Sequence, residues 1–164
     1  MSMFLKRKEI NMEEVKYIPG DLVMTNGVPL GTAKDVVYRV TSSDPSKTLE
    51  LDDGTVLKGV VRLENIEGAE FGDKGYLFGD CCAWVKDIAP IPITPEILEK
   101  NGWMLYRMYH WFIEKECLKL SLLELDNHSW YVYIGDNLIR RNMHSVSDLQ
   151  HILFGLGINH EMEV

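Results

Sequence analysis

The chain reads as an α+β protein: a small curled antiparallel sheet, followed by an α-β-β-β-α unit with both helices on one face. Three observations carry that expectation. Short alternating apolar and polar stretches, broken by Asn26-Gly27 and Asp52-Asp53-Gly54, fill residues 17–90. Only two segments carry helix punctuation at both ends, one opening at Thr94-Pro95 and one at Ser145. Between them, strand-period residues alternate around the turns Asp126-Asn127-His128 and Gly135-Asp136-Asn137.

Residues 1–16 are charged and weakly patterned, a lead-in to the first half. Pro19-Gly20 then turns the chain into a strand at Leu22, Val23 and Met24, and Asn26-Gly27 supplies a tight turn. Val36, Tyr38 and Val40 mark one face of a second strand, which is expected to end at a polar loop over residues 42–47. Residues 48–63 are the clearest hairpin, turning at Asp52-Asp53-Gly54, with Gly59 suggesting a bulge in the returning strand. Residues 64–80 are Gly- and acid-rich and read as a long exposed flap before a last short strand over residues 81–86. Short strands, tight turns and one long loop are the pattern of an SH3-like barrel occupying residues 17–90.

Residues 88–103 form the junction, a proline-stiffened hinge that opens the second unit, residues 91–164. Thr94 is placed to cap a helix, Pro95 suits the first helical position, and Asn101-Gly102 stops the helix after about two turns. A helix that short is not stable alone, so Ile97 and Leu98 are expected to dock and tie the two regions into one cooperative unit. Residues 103–116 are aromatic-rich and fit neither period. Strands are expected over residues 117–125, 129–135 and 138–141. The last helix carries Val146, Leu149, Leu153 and Leu156 as one stripe, with Ser145 and Asp148 spaced as a capping box. Residues 159–164 read as a polar, acidic tail.

Bulk chemistry narrows the function. With 17 Lys and Arg against 25 Asp and Glu, the net charge is −8, so the general surface repels phosphate backbones unless a basic patch is hidden in it. Nucleic acid is therefore not the expected partner. Residues 1–15 are not expected to act as a signal peptide and no membrane span is expected, while three cysteines, an odd number with two adjacent, fit a reduced cytoplasmic location.

The chemistry-bearing constellations are sparse. His144, Asp148 and His151, spaced i, i+4, i+7, would share a helix face and could ligate zinc. Against that, Ser145 as N-cap leaves His144 outside the helix, and the trio lies opposite the apolar stripe, where solvated residues belong. Cys81-Cys82 is neither a redox nor a metal motif, because neighbours on a strand point to opposite faces. His110 and Cys117 lack a third positioning group. Gly68, Gly72, Gly75 and Gly79 lack the Lys-Ser/Thr and capped helix of a phosphate cradle. The aromatics from Trp103 to Trp130 suit packing or a partner surface, with Trp103, Tyr106 and Trp111 as candidate contacts. Base stacking there would have only Arg107 and the Arg140-Arg141 pair for charge.

Three segments together resemble a family: Gly20-Asp21-Leu22-Val23, the run from Pro90 to Trp103, and Val146-Ser147-Asp148-Leu149-Gln150-His151 on to Gly157. They are similar to small proteins common in prophages and mobile elements of Bacteroidales-type bacteria. Those carry a Pro-Ile-x-Leu-Thr…Gly-Phe segment and a C-terminal Val-His-x-Leu-Gln helix. Ser147 stands where that pattern has His, so no role of that His carries over. The resemblance implies a phage or mobile-element origin and no assigned chemistry. With no cofactor and no catalytic set indicated, the expected function is a non-enzymatic protein-interaction module with a protein partner or a second copy. A nucleic-acid-associated small barrel is the alternative, and a metal-dependent hydrolase the weaker one.

Overall fold

The computed structural model describes residues 17–26, 34–66 and 81–164, which form two five-stranded antiparallel sheets and two short helices. The expected turn at Asn26-Gly27 and most of the 64–80 flap lie outside the described residues. So does the 1–16 lead-in.

The first sheet contains β1 (Leu22–Asn26), β2 (Lys34–Glu50), β3 (Val56–Asn65), β4 (Cys81–Trp84) and β5 (Ile88–Pro90). Their order is β4-β3-β2-β1-β5. The two end strands, β4 and β5, are joined by a 3-10 turn at Val85–Asp87 but are not paired with each other. The sheet is thus open, and the described residues form no closed SH3-like barrel. Two expected boundaries also move. The 42–47 stretch is not a loop but a bulge inside β2, whose ladder passes from Asp44↔Val60 to Thr48↔Lys58. Asp44 Oδ1 holds the extra residues by accepting from the Ser46 amide at 3.1 Å. Opposite the bulge, Gly59 has φ +82°, and a Cβ there would lie 2.9 Å from the Val85 side chain, so glycine is required. Residues 88–90, read as hinge, pair with β1 as Val23↔Pro90 and Thr25↔Ile88.

The second half is α1 (Pro95–Lys100), β6 (Met104–Arg107), β7 (His110–Lys115), β8 (Leu118–Glu124), β9 (Trp130–Ile134), β10 (Asn137–Met143) and α2 (Val146–Gly155). It therefore has five strands in the meander order β10-β9-β8-β7-β6, where three were expected. The two unforeseen strands come from the aromatic stretch over residues 103–116. Their turns give no Gly or Asn signal: Tyr109, Glu116 and Cys117 adopt φ of 67°, 49° and 69° despite their side chains.

Helix punctuation follows the sequence closely. Thr94 Oγ1 accepts from the Ile97 amide at 3.3 Å, and Gly102 at φ +83° completes a C-cap in which Trp103 N donates to Leu98 O at 3.0 Å. Ser145 and Asp148 form a reciprocal capping box. Residues 159–164 are not a free tail. Ile158 and Met162 are buried in the core, and Asn101 clamps the segment by exchanging two hydrogen bonds with Glu163, at 2.7 and 2.9 Å.

Two apolar clusters result, and β1 faces both. Val23 joins Val36, Tyr38, Val61 and Leu63 inside the first sheet. Leu22, one residue earlier and so on the opposite face, joins Leu98, Trp111, Leu122, Trp130, Leu149 and Leu153 in the larger cluster between the second sheet and the helices. Leu98, fully buried on two turns of helix, is the residue through which α1 docks. Leu98→Ala is expected to lower stability by about 2–5 kcal/mol through the cavity it leaves. Urea unfolding followed by both tryptophan fluorescence and far-UV circular dichroism checks this, and the two probes should remain coincident.

Candidate functional site

On α2 the apolar stripe Val146, Leu149 and Leu153 is buried, and Gln150 is buried beside it with no exposed surface. A neutral amide in such a place must find partners for both of its ends. Its Oε1 accepts from Leu22 N at 2.9 Å, and its Nε2 donates to Gly20 O at 2.8 Å and His160 O at 3.0 Å. One side chain thus ties the start of β1 and the C-terminal segment to α2. The next residue, His151, places Nε2 2.6 Å from Oδ2 of Asp21, a carboxylate with no solvent exposure. Asp21 Oδ2 also accepts from Ile18 N at 2.9 Å, while Oδ1 is buried without a hydrogen bond. Burial, followed by the negative charges of Asp21 and Asp148, pushes the nearby Tyr17 phenol up to about 12.

The His144, Asp148 and His151 trio is divided among three different jobs. His144 lies before the helix and donates its backbone N–H to Asp148 Oδ2 at 3.2 Å. Asp148 closes the capping box and pairs with Arg140 at 3.4 Å. His151 turns to Asp21, the residue just before β1. Among the described residues no group of three His, Cys, Asp or Glu side chains could hold a metal ion. An aspartate orienting a histidine is half of a general-base arrangement, but among the described residues no nucleophile is hydrogen-bonded to His151. Its partner set fits the joining of two sheets.

The second candidate region is the C-terminal sheet itself. Trp103 and Trp111 are 3% and 4% exposed and belong to the core, whereas Tyr106 is 64% exposed. Ladder register sorts the rest. Trp111, Leu122 and Val132 share the helix-covered face, while Phe112, Ser121 and Tyr133 share the other, as do His110, Leu123 and Tyr131. None of the latter six joins either apolar cluster, so no described element packs over that face. Tyr106 meets Phe112 edge-on at 6.1 Å, and the two rings with Glu114, Lys119 and Ser121 line a shallow concavity of about 400 Å³. Arg107 lies 5.0 Å from the Tyr106 ring centre and Arg141 6.0 Å from that of Tyr131. At the sheet edge, Met104, Leu105, Met108 and Tyr109 are 56%, 57%, 76% and 55% exposed.

Comparison with protein-family models, with curated proteins and with solved structures finds no match for this chain. Sequence reasoning missed Gln150 and Asp21. The available signal for Gln150 was its place four residues after Val146 and three before Leu153, a polar residue within the reach of the stripe.

A raised phenol pKa has a definite sign. Tyr17 stays neutral in the fold up to about 12, while an unfolded tyrosine ionises near 10. Its contribution to stability is complete below pH 10 and is lost as pH rises from there towards 12. Denaturant titrations at pH 8, 10 and 11 should show the wild type losing stability faster than Tyr17→Phe. Equal losses would place the phenol in water.

Proposed function

We propose that the protein is a non-enzymatic interaction module of prophage or mobile-element origin that holds a protein partner along β6. The observation that carries this reading is the contiguous run Met104, Leu105, Tyr106, Met108 and Tyr109, each more than half exposed. All four residues of β6 are exposed, and among the described residues the strand lies at the end of its sheet, with β7 as its only neighbour. An edge strand presents unpaired backbone N–H and C=O groups outward, and chains normally blunt such edges with charge, proline or a covering element. On β6 the single charge is Arg107. An extended partner segment laid along it gains main-chain hydrogen bonds and apolar contact on both faces. Met104 and Met108 add unbranched, adaptable side chains of the kind used at interfaces.

The resemblance in three sequence segments supplies the setting, a partner made by the mobile element or its host. A cytoplasmic location belongs to the same proposal, and the free, exposed thiols of Cys82 and Cys117 suit it. Among the described residues no helix is long and apolar enough to cross a membrane. We also keep the SH3-like reading for the first sheet. A 3-10 turn carrying the chain from one end strand to the other, with β1 between β2 and β5, is compatible with a curled sheet of that kind. A metal-dependent hydrolase is disfavoured by the engagement of His151 with Asp21.

A photo-crosslinking residue at position 108, on the hairpin tip, is expected to yield one discrete adduct in the native host. The same residue at position 53, on the other sheet's exposed turn, should yield none. Leu105→Lys should cut the adduct roughly ten-fold while changing stability by less than about 0.5 kcal/mol, because the site is exposed. Equal crosslinking from both positions would contradict the assignment.

A further inference from the structure

The sequence-wide charge of −8 does not describe every face of the molecule. Among the described residues, the charged side chains on the uncovered face of the C-terminal sheet are Arg107, Lys119 and Arg141 against Glu114. Three positive charges and one negative leave this face at +2, opposite in sign to the chain (3 − 1 = +2). Lys119 sits directly across the ladder from Glu114, which leaves the two arginines as the cations available to a ligand. Each lies near a tyrosine ring, 5.0 and 6.0 Å from its centre and within the range of cation–π contact, so each guanidinium sits beside an aromatic surface.

We propose that this face binds single-stranded nucleic acid, with bases stacked on Tyr106, Phe112 and Tyr131 and phosphates paired with Arg107 and Arg141. The site goes beyond the protein-partner reading and uses a different surface, the sheet face instead of the β6 edge, with Tyr106 at their border. Arg107 is on one edge strand and Arg141 on the other, four strand spacings apart, or about 19 Å. That span crosses the aromatic rows in between. Charge complementarity selects an anionic ligand, and the exposed Tyr106 ring with the half-buried rings of Phe112 and Tyr131 selects one with flat faces of its own. An acidic peptide satisfies the first requirement and a neutral glycan only the second. A duplex hides its base faces, whereas a single strand offers bases and phosphates together. A guanidinium is also suited to phosphate, since its planar fork matches the phosphate oxygens.

Fluorescence anisotropy of labelled 12-residue oligothymidine and oligouridine with the full chain, from 50 to 200 mM salt, tests the proposal. Binding is expected at 50 mM. Two phosphate contacts predict a log–log salt slope of about −1.4, and Arg141→Ala should bring it to about −0.7. Tyr106→Ala, at a position 64% exposed and therefore safe for folding, should weaken binding at least about five-fold. Arg39→Ala, on the other sheet, should leave affinity within about two-fold because it lies outside the site. No binding at 50 mM salt would overturn the proposal. So would binding indifferent to Tyr106→Ala, or a labelled polyglutamate peptide that binds as tightly and depends on the same arginines. Leu105→Lys, which disables the β6 edge, should not weaken oligonucleotide binding, so failure of one reading is distinguishable from failure of the other.

Discussion

Strand β1 has to satisfy two cores at once, and the rest of the structure follows from that. Leu22 and Val23 are adjacent, point in opposite directions and are each buried. A central strand with both faces covered cannot shift by one residue without exchanging its two apolar partners. Its register is fixed from three sides. β2 pairs through Leu22↔Arg39 and Val23↔Tyr38, β5 pairs through Val23↔Pro90, and Gln150 captures the Leu22 amide and the Gly20 carbonyl. The Asp21–His151 contact adds a charge-capable hydrogen bond at the same end. What holds the halves together is thus a polar clasp set in apolar surroundings, where an unmet hydrogen bond costs more than a met one contributes.

Because α1, α2 and the C-terminal segment are all committed to one face of the second sheet, its other face is left to solvent among the described residues. Its sequence is not that of an ordinary solvated face. Phe112, Tyr131, Tyr133 and Leu123 alternate with the core residues Trp111, Val132 and Leu122, so both sides of the central strands are apolar or aromatic. The edge strand β6 continues the same character out to the hairpin tip. Large exposed aromatic and methionine side chains concentrated on one sheet point to binding, whereas the first sheet exposes few large apolar groups beyond Leu49, Leu51 and Val56 at its own hairpin end.

The legibility of the fold in the sequence depended on turn chemistry. Both helices were readable because Thr94, Pro95, Gly102, Ser145, Asp148 and Gly157 are residues whose own side chains or lack of them create the caps. The hairpin at Asp52-Asp53-Gly54 was readable for the same reason. Strands β6 and β7 were not, because Tyr109, Glu116 and Cys117 take up left-handed backbone positions that the pairing of the flanking strands requires and local preference opposes. The bulge in β2 was hidden by its own composition, since Ser-Ser-Asp-Pro-Ser-Lys favours a loop when no partner strand is known. Of the candidate sites, spacing placed His144, Asp148 and His151 on one helical face but could not show that Asp21, 130 residues before His151, would claim the histidine. Likewise Trp103 and Trp111 look like contact residues by type, and burial alone separates them from Tyr106.

The central claim is that Gln150 and β1 make the two sheets one cooperative structure. Residue-resolved urea unfolding by amide NMR tests it most directly, following Val61 on β3 and Val132 on β9 in wild type and in Gln150→Ala. The account predicts coincident transitions for both amides. In the variant both should move to lower urea together, by about 2–4 kcal/mol, because Leu22 N, Gly20 O and His160 O lose their partner. Separate midpoints in the wild type would contradict it, as would a variant in which Val61 shifts while Val132 keeps its place.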